Sequence, residues 1–173
     1  MLIGVIIKLE GISFMYNRIY LNYEEVVNNY QSVIKYLCRT SDIFTLTPII
    51  RRPYSQIPPS YKYSNELQPF ATKYLFYKSE WLVDFLTPWK HQIMAVYRCC
   101  KQSRDELLKI PNIFLPDECG APEDLCFYRD DKLWFATISH EKICFCIGLT
   151  DNDIEFFKEN EMLIDNTGDG SMC

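Results

Sequence analysis

Leu125-Cys126-Phe127-Tyr128-Arg129-Asp130-Asp131-Lys132-Leu133-Trp134-Phe135-Ala136-Thr137-Ile138 is the stretch on which the fold reading turns. Two runs of aromatic and branched apolar residues flank a polar tetrad, Arg129 to Lys132, which is the signature of an antiparallel hairpin. The tetrad has no glycine of the kind a tight primed turn favours. Downstream, Ile143-Cys144-Phe145-Cys146-Ile147 reads as a third strand. Thr150 with Asp153 then opens a closing helix that runs through Ile154, Phe156 and Phe157 to about Asn160.

Upstream, Gln92 to Cys100 reads as a strand, and Ser103 with Glu106 as a capping box opening a short helix through Leu107 and Leu108. Residues 72–86 suggest a strand followed by a short helix, broken at Thr87-Pro88. The stretch Thr40 to Pro69 is the least regular, because five prolines (Pro48, Pro53, Pro58, Pro59 and Pro69) break helices and confine strands. It also carries Arg51-Arg52, Tyr54, Tyr61 and Tyr63, a makeup that suits either a binding excursion or a cover over the core. Asn22, followed by Tyr23-Glu24-Glu25, caps a helix over residues 23–38, with Val26, Val27, Tyr30, Val33, Ile34 and Leu37 at helical spacing. Residues 2–9 read as a buried strand.

These elements predict a single α+β domain over residues 1–163, with a mainly antiparallel sheet and a few helices packed against it. Residues 164–173 are expected to form a flexible acidic tail. A hydrophobic content of 48% excludes a disordered chain, and 173 residues suit one core better than two. No apolar run approaches the ~20 residues that a bilayer span needs. The first ten residues lack the basic region and cleavage site of a signal peptide, so a cytoplasmic location is expected, with the eight cysteines reduced.

Catalytic and metal signatures are sparse. His140, in the polar tetrad Ser139-His140-Glu141-Lys142, is the candidate acid–base residue, with Glu141, Cys126 or Cys144 as its companion. Adjacent strand residues point apart, however, and a structural role in a turn competes with catalysis. Cys144 and Cys146 share a strand face without a second ligand pair, and Cys99-Cys100 diverge, so no metal or cofactor is expected. The acidic pairs Asp117-Glu118, Glu123-Asp124 and Asp130-Asp131 read as surface charge.

Charge is distributed unevenly. Through Ile110 the chain has 14 basic and 9 acidic residues; from Pro111 onward it has 4 and 14, against −5 overall. Such a C-terminal third repels nucleic acid and steers a basic protein partner toward itself. Within it, Glu123, Asp124, Asp130 and Asp131 are the expected steering carboxylates, and Tyr128 and Trp134 the expected aromatic anchors.

The segment Ala121-Pro122-Glu123-Asp124-Leu125-Cys126-Phe127-Tyr128, continuing through Lys132-Leu133-Trp134-Phe135 to Ser139-His140-Glu141, resembles the ends of small bacterial immunity-type proteins. Those proteins are encoded beside polymorphic or contact-dependent toxins. The resemblance spans roughly 30 residues and implies a cytosolic, non-enzymatic inhibitor that occludes a toxin's active surface. The alternatives are a small enzyme using His140, and a regulatory domain that binds a peptide or small ligand through the proline-rich excursion.

Overall fold

A computed structural model describes residues 18–47, 66–77, 92–112, 114 and 123–164. Among the described residues, seven strands form one sheet in which every pair is antiparallel: β1 (Arg18–Tyr20), β2 (Ile43–Thr47), β3 (Ala71–Tyr77), β4 (Gln92–Arg98), β5 (Glu123–Arg129), β6 (Lys132–Ile138) and β7 (Ile143–Ile147). Their order across the sheet is β1-β7-β6-β5-β2-β4-β3. Four helices accompany it among the described residues: α1 (Tyr23–Asn28), α2 (Tyr30–Thr40), α3 (Lys101–Leu107) and α4 (Asp151–Glu159). The single α+β architecture expected from the sequence is the one observed.

Several local expectations are corrected. The helix expected over residues 23–38 is divided at Asn29, whose backbone leaves the helical region (φ −99°, ψ 22°) while its side-chain amide donates to the Glu25 carbonyl at 2.9 Å. An asparagine that bonds nearby backbone competes with the helical ladder, which accounts for the break. Within the stretch read as least regular, Ile43–Thr47 forms β2, a central strand between β5 and β4. It ends immediately before Pro48, which has no N–H to offer a ladder. The cap of α3 is Cys100, whose thiol accepts from the Ser103 N–H, so Ser103 is the third helical residue and not the cap. The strand over residues 2–9, the tail from residue 165 and the helix after β3 lie outside the described residues.

Alternation sorts the sheet's side chains onto two faces. Phe44, Leu46, Tyr97, Leu125, Phe127, Phe135 and Cys146 share a buried cluster with Val33, Ile34 and Leu37 of α2 and Phe157 of α4. Cys126, Ala136 and Phe145 make a second cluster on the other face, with Tyr128, Leu133, Ile138, Ile143 and Ile147 against it. The β5–β6 register slips between Phe127↔Phe135 and Tyr128↔Leu133, leaving Trp134 as an extra residue. That bulge turns Trp134 and Phe135 together toward the helices, while Ala136 is buried on the other face. Each such large side chain, fully buried, contributes roughly 1.5–3 kcal/mol.

The polar tetrad between these strands closes as a two-residue turn, with Arg129 paired to Lys132. Asp130 and Asp131 both take positive φ, 50° and 60°. Aspartate is among the few residues that tolerate this left-handed region, so it substitutes here for the missing glycine. The Asp130 N–H donates to the Asp42 carboxylate at 2.8 Å, pinning the turn to the α2–β2 junction.

One ionic assembly ties the hairpin to the helices. Arg129 donates from Nη1 and Nη2 to the two oxygens of Asp153, both at 3.0 Å, and from Nε to the Thr40 carbonyl at 2.8 Å. The Tyr36 hydroxyl donates to Asp153 Oδ1 at 2.7 Å. Thr150 donates to Asp153 Oδ2 from its N–H and its hydroxyl, forming the capping box of α4. The Arg129 guanidinium lies 4.2 Å over the Trp134 ring, whose Nε1 donates to Ser41 Oγ at 2.8 Å. Asp153 is 1% exposed. Burial by itself would raise its pKa, but the hydrogen bonds from Arg129, Thr150 and Tyr36 outweigh it and lower the pKa to about 2.

These contacts fix how stability responds to pH and to substitution. A carboxyl whose folded pKa is depressed stabilises the fold above its unfolded pKa, and that stability disappears as the pH falls through the folded one. Urea denaturation is therefore expected to show about 2 kcal/mol of stability lost between pH 4 and pH 2, a loss missing in Asp153→Asn. At neutral pH, Asp153→Ala is expected to lower stability by about 3–5 kcal/mol, because it leaves Arg129 without its buried partner. In the turn, the double change Asp130→Asn with Asp131→Gly is expected to raise stability by roughly 1 kcal/mol, read as a higher denaturation midpoint with an unchanged slope.

Candidate functional site

The residues expected to form one partner-binding surface are distributed over three environments. Asp130 and Asp131 are exposed at the hairpin turn. Trp134 is buried, held by Ser41 and packed edge-on to Tyr36 at 6.5 Å. Tyr128 is half-buried on the opposite face of the sheet, beside Cys126, Ala136 and Phe145. The hairpin register pairs Tyr128 with Leu133 and so sets the two rings on different faces. They do not form a joint aromatic anchor, and Trp134 is core. Glu123 pairs through its backbone with Thr47, and its side chain lies outside the described residues.

Asp124 is also internal, with 8% exposure, which corrects its reading as a steering carboxylate. It sits at the start of β5 with a positive φ of 54°. Its Oδ1 accepts from the Ser139 N–H at 3.2 Å, and its own N–H donates to Ser139 Oγ at 3.4 Å. This reciprocal pair fastens β5 to the 3₁₀ turn Ser139–Glu141 between β6 and β7. Burial raises the Asp124 pKa, partly offset by the Ser139 hydrogen bond and the charge of His140, while Glu141 adds to the rise. His140 is 37% exposed in its side chain, and its Nε2 lies 3.7 Å from Glu141 Oε1.

Asp124 is thus fastened to the turn that carries His140 and Glu141, which gathers two carboxyl groups and an imidazole in one region without a hydrogen bond between His140 and Glu141. The thiol of Cys126, two residues along β5 from Asp124, is fully buried. Its pKa is raised by burial and by the Asp124 charge, so it is not an activated nucleophile. Burial likewise pushes Cys144 up to about 12. Among the described residues, no three metal-ligating side chains come together, and no helix is long and apolar enough to cross a membrane.

The surface that sequence reasoning missed is the outer side of α4. Asp153 and Phe157 face inward, leaving Asp151, Glu155, Lys158 and Glu159 exposed and lining a shallow open depression with Ile154. Ile154 is 39% exposed; Ile164, just beyond the helix, is 48% exposed, and Glu161 is exposed between them. The spacing 151, 154, 155, 158 is a helix stripe and was legible once Asp153 was known to face inward. The Asp153–Arg129 pair joins the first turn of α4 to the hairpin, just beside the exposed Asp130-Asp131 turn. Comparisons with protein-family models, with curated proteins and with solved structures find no match to this chain.

Asp124 yields a prediction of opposite sign to that for Asp153. Its folded pKa lies above the ordinary value, so the unfolded chain releases this proton first, and stability falls as pH rises from about 4. Asp124→Asn keeps the oxygen that accepts from Ser139 and tolerates the positive φ. It is expected to be more stable than the parent chain at pH 7, with the difference vanishing below about pH 4. Thermal melts of both chains across that range measure it.

Proposed function

We propose that this chain is a non-enzymatic binding protein that neutralises a basic protein, in the manner of an immunity protein occluding a toxin's active surface. The observation that carries this reading is the outer side of α4. There Ile154 stands exposed among Asp151, Glu155 and Glu159, with Ile164 and Glu161 beyond. An apolar contact surrounded by mainly negative charge, with three carboxylates against the one cation Lys158, combines an anchor with a steering field. The exposed Asp130-Asp131 turn, on the adjoining hairpin, extends the field. A toxin that binds nucleic acid presents the complementary positive surface. The burial of Asp124 and Trp134 moves the proposed contact from the hairpin body to α4 and the turn.

A competing reading makes the chain a small enzyme with His140 as its acid–base residue, favoured by the buried Asp124 that senses the charge of His140. One assay separates the two. The product of the gene adjoining this one is expressed alone and together with this chain in a host cell. The binding reading expects growth arrest by the neighbour alone and rescue by the parent chain. Rescue is expected to persist in His140→Ala and to be lost in the combined change Ile154→Asp, Glu155→Lys and Glu159→Lys. With purified proteins, the same triple change is expected to slow association at least tenfold at low salt and to flatten its salt dependence. A harmless neighbour, or rescue that tracks His140 and ignores α4, overturns the reading.

A further inference from the structure

The outer stripe of α4 is fixed in place by its inner side. Asp153 is held by Arg129, Tyr36 and Thr150, Phe157 is fully buried, and Phe156 stacks on Tyr36 at 3.8 Å. The helix therefore cannot roll to bury Ile154, which stays 39% exposed. Along that stripe Asp151 and Lys158 lie two turns apart, about 10 Å, on nearly one line. Both are exposed, and among the described residues neither makes an ion pair. With about 100° of rotation per residue, Ile154 lies to one side of the line and Glu155 and Glu159 to the other.

An anion and a cation at the two ends of one line complement the same line reversed. Turned through a two-fold axis at the middle of α4, a second copy sets its Lys158 against Asp151 and its Asp151 against Lys158. The two Ile154 side chains then meet on one side of the seam, and the glutamates of both copies stay in water on the other. A uniformly basic partner leaves Lys158 opposed by like charge, whereas a second copy of this chain supplies its carboxylate.

We propose that two copies of this chain pair antiparallel through α4, joined by two Asp151–Lys158 ion pairs beside an Ile154–Ile154 contact. One nine-residue helix on another buries far less than the ~1,600 Å² of a standard interface, and exposed ion pairs add little. The dissociation constant is accordingly expected on the order of 100 μM. The pairing covers Ile154, so it competes with any partner that uses the outer side of α4. It rests on α4 alone and does not depend on the reading of the chain as an inhibitor.

Sedimentation of the purified full chain, over about a hundredfold range of concentration around that value, tests this without any partner. The parent chain is expected to rise from the monomer mass toward twice that mass. Asp151→Lys and Lys158→Asp, each alone, set like charges at both contacts and are expected to weaken self-association roughly tenfold. An equimolar mixture of these two variants restores opposite charges at both contacts and is expected to regain the association of the parent. Mixing does not repair a damaged fold, so the regain isolates the pairing. Both changes also reverse a favourable charge at a helix end, and thermal melts check that each variant is folded at the working temperature. Should either fold poorly, Ile154→Ser in the parent chain gives a second reading: weaker self-association is expected, and unchanged association overturns the proposal. A parent chain that stays monomeric throughout, single charge variants that associate as well as the parent, or a mixture no better than its components also overturns it.

Discussion

The buried carboxylate of Asp153 constrains the rest of the molecule. A charge removed from water is tolerated only where fixed donors replace its hydration. Here those donors come from three elements: Tyr36 on α2, Arg129 at the end of β5, and Thr150 at the cap of α4. Satisfying one anion therefore fixes where two helices sit over the hairpin. Arg129 in turn covers Trp134 and bonds the Thr40 carbonyl, so the chain leaving α2 is held as well. The aromatic rings around it follow this frame: Phe156 stacks on Tyr36 at 3.8 Å, and Phe157 stacks with Phe135 at 6.4 Å.

The same constraint shapes the outer surface. Because Asp153 faces inward, the residues on the far side of α4 face solvent, and they are mostly carboxylates grouped around an exposed isoleucine. The strong acidic bias of the C-terminal third is thus divided between two uses. Asp124 and Asp153 are internal and bonded, one with a raised and the other with a lowered pKa. Asp130, Asp131, Asp151, Glu155, Glu159 and Glu161 remain outside. A charge count treats all of these alike, whereas their roles depend on the partners that folding supplies.

The candidate site was accordingly legible only in part. His140 and Glu141 sit together in a turn, as their polar tetrad between two apolar runs suggested, and the structure adds Asp124 to them through the Ser139 bonds. That Asp124 is internal follows from the cross-strand position of Ser139, which is a tertiary fact. Tyr128 and Trp134 belong to one hairpin, yet which face each takes depends on the turn register. A loop one residue longer or shorter reverses the relation, and no glycine in the tetrad marks its length. The bulge that turns Phe135 to the same side as Trp134 is likewise unmarked by any residue type in the segment.

What the sequence by itself determined is the local chemistry: alternating apolar runs over 125–138 and 143–147, the Thr150–Asp153 capping box, the Asn22 cap, and an antiparallel α+β domain built from them. These depend on neighbours within a few residues, so composition and spacing suffice to read them. Tertiary structure alone decided that Ile43–Thr47 is a central strand and that the Asp130-Asp131 turn is pinned to the distant Asp42. It also decided which carboxylates are bonded and which face solvent. The physical reason is common to all of these: burial and pairing across the sheet supply energies larger than local propensity, and they come from residues far away in the chain.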